Sequence, residues 1–219
     1  YKMDKYKIAI VIPAFNEEAT ISNVVQSVKE YGIVVVVNDA SSDKTKKMAE
    51  NAGAIVINHK DNKGYDDALN SGFKKAEELD CNAVITFDAD GQHNPIYLTE
   101  YINYLKEGVG LVLGVRPKVQ RFSEYIFKLY TRKKYKWKDP LCGLKGYSMQ
   151  LYRDKQQFDS YHSIGTELAC FGMENNYSYK EVEININKRA DKPRFSSVFV
   201  SNIKILRSLF LMIMLKERR

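Results

Sequence analysis

The chain has 219 residues, 44% of them hydrophobic, with five prolines and no low-complexity tract, which excludes disorder and suits one generous domain with a sizeable core. Cys81, Cys142 and Cys170 are too few and too scattered for a disulfide framework or a CxxC zinc site, and no apolar run reaches the roughly 20 residues that span a bilayer. The net charge of +7 is uneven, because residues 1–110 hold 12 Lys and Arg against 17 Asp and Glu while residues 111–219 hold 22 against 10.

That split directs the basic half towards an anionic partner: phosphate groups, a membrane surface or nucleic acid. The charged N-terminus lacks the apolar core of a secretory signal, so a reduced, cytoplasmic setting is expected.

Short β-branched runs alternate with helical patterns through the first half, the signature of βαβ units and a mainly parallel sheet. Strands are predicted at KIAIVI (7–12), IVVVV (33–37), AIVI (54–57), AVITF (83–87) and LVLGV (111–115). Between the first two, Ile21, Val24, Val25 and Val28 recur at i, i+3, i+4, i+7, with acidic residues at the start and Gly32 at the end, which predicts an amphipathic helix. Similar helices are predicted over 41–53 and 65–80, and a shorter one after Pro95. Beyond Arg116 the alternation fades into aromatic, basic sequence.

In open α/β sheets, ligands bind at the carboxyl ends of the strands. Those ends read PAFNEE, NDASSD, NHKDNKG, DADGQH and RPK, five polar segments converging on one crevice. In DADGQH, Asp88 and Asp90 stand at i and i+2; continued strand geometry would point both the same way, onto one hard cation, with Gln92 supplying a further oxygen. The competing reading is an acidic turn. Asp39 suits a base N–H or a ribose hydroxyl, or else a turn, and Ser41, Ser42 or Asp43 is placed to cap the next helix. No GxGxxG or GxxxxGK[ST] is present, so neither a dinucleotide fold nor a P-loop is supported. Arg116, Arg121, Lys188, Arg189, Lys192 and Arg194 offer phosphate contacts or a solvated basic face. His93 reads as a turn residue or a support for a ligand rather than a ligand.

Taken together, IAIVIPAFNEEATI, VVNDASSDKT, NKGYDDALNSGF, FDADGQHNP, GVR and DPLCGLKGY resemble family 2 of the nucleotide-sugar glycosyltransferases over roughly residues 7–150. DADGQH, DPLCGLKGY and the downstream KRADKPRF are most similar to its dolichol-phosphate mannose synthase and polyprenyl-phosphate branch. The resemblance implies a GT-A, Rossmann-like α/β fold with a mainly parallel central sheet flanked by helices. It implies an inverting, metal-dependent transfer of a hexose from GDP-mannose or a UDP-hexose to a polyprenyl phosphate, dolichyl or undecaprenyl. Mg²⁺ or Mn²⁺ would sit on Asp88, Asp90 and Gln92. Pro13, Ala14, Glu17, Asp39, Lys63 and Asp88 would bind the nucleotide-sugar, Arg121, Lys145 and Arg194 the acceptor and its phosphate, and Asp90, Asp139 and Arg116 would carry catalysis. Lys145 stands where relatives often have arginine, and DKPRF around Arg194 departs from their usual pattern.

Two other readings compete. A sugar hydroxyl of a surface glycan as acceptor would need a general base, for which Asp139 or Glu167 is available. A nucleic-acid module over residues 121–138, with seven basic residues among aromatic ones, would leave the first half unexplained, and no nucleic-acid partner is expected. The expected organisation is a GT-A domain over 1–199, divided into a nucleotide-sugar part (1–115) and an acceptor part (116–199), followed by a C-terminal amphipathic or membrane-interface helix over 200–219. Ser208 to Leu215 is uncharged and apolar all round, too short to span, and bordered by Lys204, Arg207 and Lys216. Either it lies at the inner face of a membrane, making the protein peripheral, or it packs on the sheet or a second copy.

Overall fold

The computed structural model describes residues 6–118, 121–187 and 198–216. Every strand predicted in the first half is present: β1 Ile8–Ala14, β2 Ile33–Asn38, β3 Ile55–Asn58, β4 Ala83–Thr86 and β5 Leu111–Val115. They alternate with α1 Ile21–Val28, α2 Thr45–Asn51, α3 Tyr65–Glu78 and, after a 3₁₀ turn at Pro95–Tyr97, α4 Leu98–Lys106. The second half adds α5 Phe122–Tyr135, β6 Lys145–Ser148, α6 Met149–Lys155, α7 Glu167–Glu174, β7 Tyr179–Glu183 and α8 Val198–Lys216. The seven strands form one sheet in the order β3-β2-β1-β4-β6-β5-β7. Only β6 runs against its neighbours, antiparallel to both β4 and β5.

The sheet is covered on both faces, which is why its central strands read as continuous apolar runs rather than alternating ones. Ile8, Ile10 and Ile12 of β1 join Val34, Val36 and Ile85 beneath α1, α2 and α4. Ala9, Val11, Val35, Val37 and Val84 face the opposite layer, built from α3, α5, α6, α7 and α8. The helix α3 lies especially close: a Cβ on Gly72 would stand 2.2 Å from Val11 Cγ1, so only glycine allows that approach. β1 lies between β2 and β4, and successive connections leave it in opposite directions. Such a reversal opens a crevice at the carboxyl edge, where DADGQH emerges.

Two local expectations are corrected. The acidic residues Glu17 and Glu18 precede α1 instead of occupying its first turn, because the backbone carbonyl of Glu17 accepts from the amides of Thr20 and Ile21 in a tight turn. α2 starts later than predicted, at Thr45; Asp43 caps it from two residues back by accepting from the Thr45 amide at 2.9 Å.

The helix α8 packs one side on the core and leaves another side exposed. Ile205, Leu209 and Met212 are buried in the core, while Ile203, Leu206, Phe210 and Met214, at i, i+3, i+7, i+11, are exposed. α5 packs against α8 and carries its own exposed stripe, Phe122, Tyr125 and Leu129. Among the described residues no helix is long and apolar enough to cross a membrane.

Candidate active site

The first two strand ends are fastened to each other by side chain to backbone hydrogen bonds. The Asn16 amide donates to Ser41 Oγ at 2.8 Å, and the Ser42 amide returns a bond to Asn16 Oδ1 at 2.8 Å. The Glu17 amide donates to Thr45 Oγ1 at 2.7 Å, the Glu18 amide to Asp43 Oδ2 at 3.1 Å, and the Lys44 amide to Glu18 Oε2 at 2.9 Å. Asn16 and Ala40 adopt left-handed backbone angles (φ 55° and 57°), which the reciprocal bonds hold in place. Pro13 and Ala14 end β1, and Ala14 O accepts from the Asp39 amide at 2.9 Å. Glu17 is buried, its Oε2 accepting from Thr20 Oγ1 at 3.1 Å.

Asp39 is buried at the end of β2 and organises the loop after β3. Its Oδ1 lies 2.7 Å from His59 Nδ1 and accepts from the Lys63 amide at 2.9 Å, and its Oδ2 accepts from the Gly64 amide at 2.7 Å. His59 Nε2 continues to Ser71 Oγ on α3 at 2.8 Å. The expected Lys63 therefore enters through its backbone. A carboxylate has about four acceptor positions, and three of those on Asp39 are taken.

In DADGQH the strand has ended at Thr86, so Asp88 follows it in irregular backbone and Asp90 lies in a turn, rather than both on one strand face. Asp88 Oδ2 lies 2.9 Å from Nε2 of the buried His93. Burial would raise the Asp88 carboxyl, but the hydrogen bond and charge of His93, together with Lys145 and Arg116, hold it below its ordinary value and keep it ionised. Asp90 Oδ1 accepts from the Gln92 amide at 3.0 Å, and Gln92 Nε2 donates to Asn187 O at 3.4 Å, which turns its amide oxygen to the other side. Gly143 closes against this turn. A Cβ there would lie 2.2 Å from Asp88 Oδ2, so only glycine lets this loop pass so close to the carboxylate. The Asp88 carboxylate fixed by His93, the Asp90 carboxylate and the Gln92 amide oxygen are hard oxygen donors of the kind that suit Mg²⁺ or Mn²⁺.

Arg116, at the end of β5, is the centre of a buried charge cluster. Its Nε and Nη2 donate to both oxygens of Asp139 at 2.7 and 2.9 Å, and Nη2 also reaches Glu124 Oε2 at 3.2 Å. Arg121 Nη1 donates to Glu124 Oε1 at 3.1 Å. Burial opposes the Arg116 charge, yet the Asp139 hydrogen bond and charge outweigh it and raise its pKa. Asp139 thus has Arg116 on both oxygens. Lys145 is buried on β6, where its ammonium donates to Gly165 O at 2.9 Å and lies 5.6 Å from the Trp137 ring centroid, so it braces the loop before α7. Burial lowers its pKa. Arg194, with Lys188, Arg189 and Lys192, lies outside the described residues.

Glu167 is engaged as well, by Lys155 Nζ at 2.7 Å and by the Ser160 amide at 2.5 Å. Among the described residues, Asp66, Asp159 and His162 bring ligand atoms within 4.8 Å of one another. Backbone amides already occupy the two carboxylates: Ile164 and Gly165 on Asp66, Tyr161, His162 and Ser163 on Asp159. Burial, then the Asp159 charge, pushes the Asp66 carboxyl up to about 6. Two aromatic residues of the 121–138 stretch, Phe127 and Trp137, are fully buried and so are withdrawn from any base stacking. His59, Glu124 and Gly143 escaped the sequence reading, since their roles come from partners that folding brings to them.

A mainly parallel sheet flanked by helices, with a carboxylate-bearing segment at its switch point, is the architecture of the GT-A fold. The model of the family described as glycosyl transferase family 2 matches residues 9–181, and the chain belongs to that family: it is a glycosyltransferase. An uncharacterised protein of Methanocaldococcus jannaschii is 32% identical over 201 residues, covering 84% of this chain and 82% of the relative. UDP-N-acetylglucosamine--dolichyl-phosphate N-acetylglucosaminyltransferase of Methanococcus voltae is 35% identical over 131 residues, 51% of this chain and 52% of that protein, so the match spans about half of each. Among solved structures, glucosyl-3-phosphoglycerate synthase of Mycobacterium tuberculosis, in complex with Mn²⁺, UDP and phosphoglyceric acid, superposes with a TM-score of 0.72 at 18% identity, over 93% of this chain and 77% of that one.

Proposed function

We propose that this glycosyltransferase moves a hexose, with inversion, from a nucleoside-diphosphate sugar to a polyprenyl phosphate at a membrane surface. Residues 1–115 would bind the donor, residues 116–199 the acceptor, and residues 200–219 would rest at the lipid interface. The observation that carries the acceptor class is the state of the two candidate bases. A hydroxyl must lose a proton as it attacks, whereas a phosphate is already an anionic nucleophile at neutral pH. Asp139 is held on both oxygens by Arg116, and Glu167 by Lys155, so each carboxylate already has a cation as partner. A phosphate acceptor needs neither.

Pro13, Ala14, Glu17, Asp39 and Lys63 would form the nucleoside pocket. The M. tuberculosis structure contains UDP and the M. voltae transferase is named for a UDP donor, which favours a UDP-hexose over GDP-mannose. The M. voltae name also supports a polyprenyl phosphate acceptor. Mg²⁺ or Mn²⁺ on Asp88, Asp90 and Gln92 would act as a Lewis acid neutralising the departing diphosphate. For this chain's own part, His93 fixes the direction of the Asp88 carboxylate and Gly143 lets the neighbouring loop pass beside it. Asp139 is a positioning residue that aims Arg116, which with Arg121 would meet the phosphates. The exposed stripes of α5 and α8, beside the exposed Lys204 and Arg207, supply an interfacial face.

The test is Asp90→Ala assayed with radiolabelled UDP-hexose, Mn²⁺ and a short prenyl phosphate. Transfer is expected to fall by about 100-fold or more. Transfer surviving near the wild-type rate removes the metal from the mechanism.

A further inference from the structure

Between the carboxyl ends of β5 and β7 and the flank of α5 lies a cleft of about 510 Å³, whose charged lining is Arg116, Lys128, Arg132, Lys138 and Glu183. Arg116 is matched by Asp139 and Glu124, and Lys138 Nζ by Glu181 at 3.2 Å. Among the described residues, Lys128 and Arg132 form no ion pair. They stand at i and i+4 on α5, neighbours on one side of the helix, where two like charges repel and weaken it. That arrangement costs stability in the bare protein and would be relieved by an anion between them.

Their position suggests which anion. Lys128 follows the exposed Tyr125 by three residues and Arg132 follows the exposed Leu129 by three, so the cationic edge of α5 runs directly alongside its apolar stripe. A lipid chain lying on that stripe would present its head group to Lys128 and Arg132, with the cleft leading on to Arg116. Arginine offers a planar fork matched to phosphate oxygens, and lysine a mobile point charge, a combination suited to a phosphate monoester that is close to doubly charged at neutral pH.

We propose that Lys128 and Arg132 form a phosphate-monoester subsite that captures the head group of the lipid acceptor and passes it into the cleft beside Arg116. This deepens the function proposed above and rests on it. The subsite lies outside Arg121, Lys145 and Arg194, the positions that the family resemblance marks for phosphate.

The experiment uses the full chain, loaded with UDP and Mn²⁺, and compares Lys128→Gln/Arg132→Gln with Lys133→Gln/Lys134→Gln, an equal charge loss from the exposed side of the same helix. Calorimetric titration with geranyl phosphate is expected to show a Kd raised by at least about tenfold in the first pair and little changed in the second. Inorganic phosphate should bind more weakly to the first pair too, whereas phosphatidylglycerol vesicles should be held about equally by both. Equal Kd values for geranyl phosphate in the two pairs overturn the subsite. So does a loss confined to the vesicles, because the pair would then read bilayer head groups and not the acceptor. Transfer of labelled sugar to geranyl phosphate by the wild type separates the two claims. Binding through Lys128 and Arg132 without transfer would sink the acceptor assignment alone; transfer with an unaltered Kd in the first pair would sink the subsite alone.

Discussion

Around residues 14–45 the strand-end loops are fastened to one another by hydrogen bonds between side chains and backbone amides, whereas around 116–139 the strand end is held by buried charges. The first arrangement spreads its cost over several bonds, each worth about 1 kcal/mol net, so losing one leaves the loop largely shaped. The second concentrates it. A buried ion pair stripped of one partner leaves an uncompensated charge, and the whole cluster is at risk. The loops around residues 14–45 are therefore a rigid cradle tolerant of single changes, and the cluster around 116–139 a charge balance that depends on each member.

The largest effect should come from breaking that balance. Asp139→Ala leaves Arg116 with Glu124 alone and is expected to lower unfolding free energy by about 3–5 kcal/mol, read by urea titration. A loss under about 1 kcal/mol would show that water replaces the carboxylate, and the contrast would collapse.

Asp66 ties the two sides together, since its carboxylate on α3 receives the amides of Ile164 and Gly165. Its folded pKa of about 6 lies above the ordinary 3.8, so the stabilisation from its protonated form is complete below 3.8 and is lost as pH rises through 6. The stability difference between wild type and Asp66→Asn should therefore shift by about 2 kcal/mol against the wild type between pH 4 and pH 7. Parallel pH profiles would show that Asp66 is not buried as described.

Gly143→Ala sharpens the comparison from inside the crevice. The added methyl meets Asp88, and kcat/KM should drop by about 100-fold while stability changes little. A Tm that falls along with activity would make the defect one of folding. On the fastened side, Asp43→Ala removes the acceptor for both the Thr45 and Glu18 amides and should cost about 1–2 kcal/mol, with UDP binding retained at reduced affinity. The smallest effect concerns the surface: Ile203→Ser/Phe210→Ser should weaken sedimentation with anionic liposomes and leave Tm within a few degrees of wild type. Unchanged liposome binding would remove this face as a membrane contact.

The same contrast governs what was legible in the sequence. The first half is built of strands buried on both faces, so their β-branched runs stand out and the helices between them show one apolar side. In the second half β6 is four residues, Lys145–Ser148, containing a buried lysine and a glycine, and β7 has mostly polar side chains. Their strand character comes from the neighbours they join, which no local pattern records. The site divides likewise. Asp39, Asp88 and Arg116 stand out as candidates in the sequence because they follow recognisable strands. His59 and Gly143 were not, because His59 matters through Asp39, 20 positions away, and Gly143 through Asp88, which folding alone brings beside it.

The reversed strand β6 also constrains the order in which the protein can be made. β4 pairs with β1 on one side and with β6 on the other, and β5 and β7 reach the sheet only through β6. On the ribosome, β3-β2-β1-β4 can assemble early, yet the outer edge of β4, the apolar AVIT, stays unpaired until Lys145–Ser148 has emerged. During that interval the nascent chain carries an open, hydrophobic strand edge, the kind of surface that recruits other chains. Translation pauses between Thr86 and Lys145 should thus raise aggregation more than pauses elsewhere, and chaperone capture should be strongest across that same stretch.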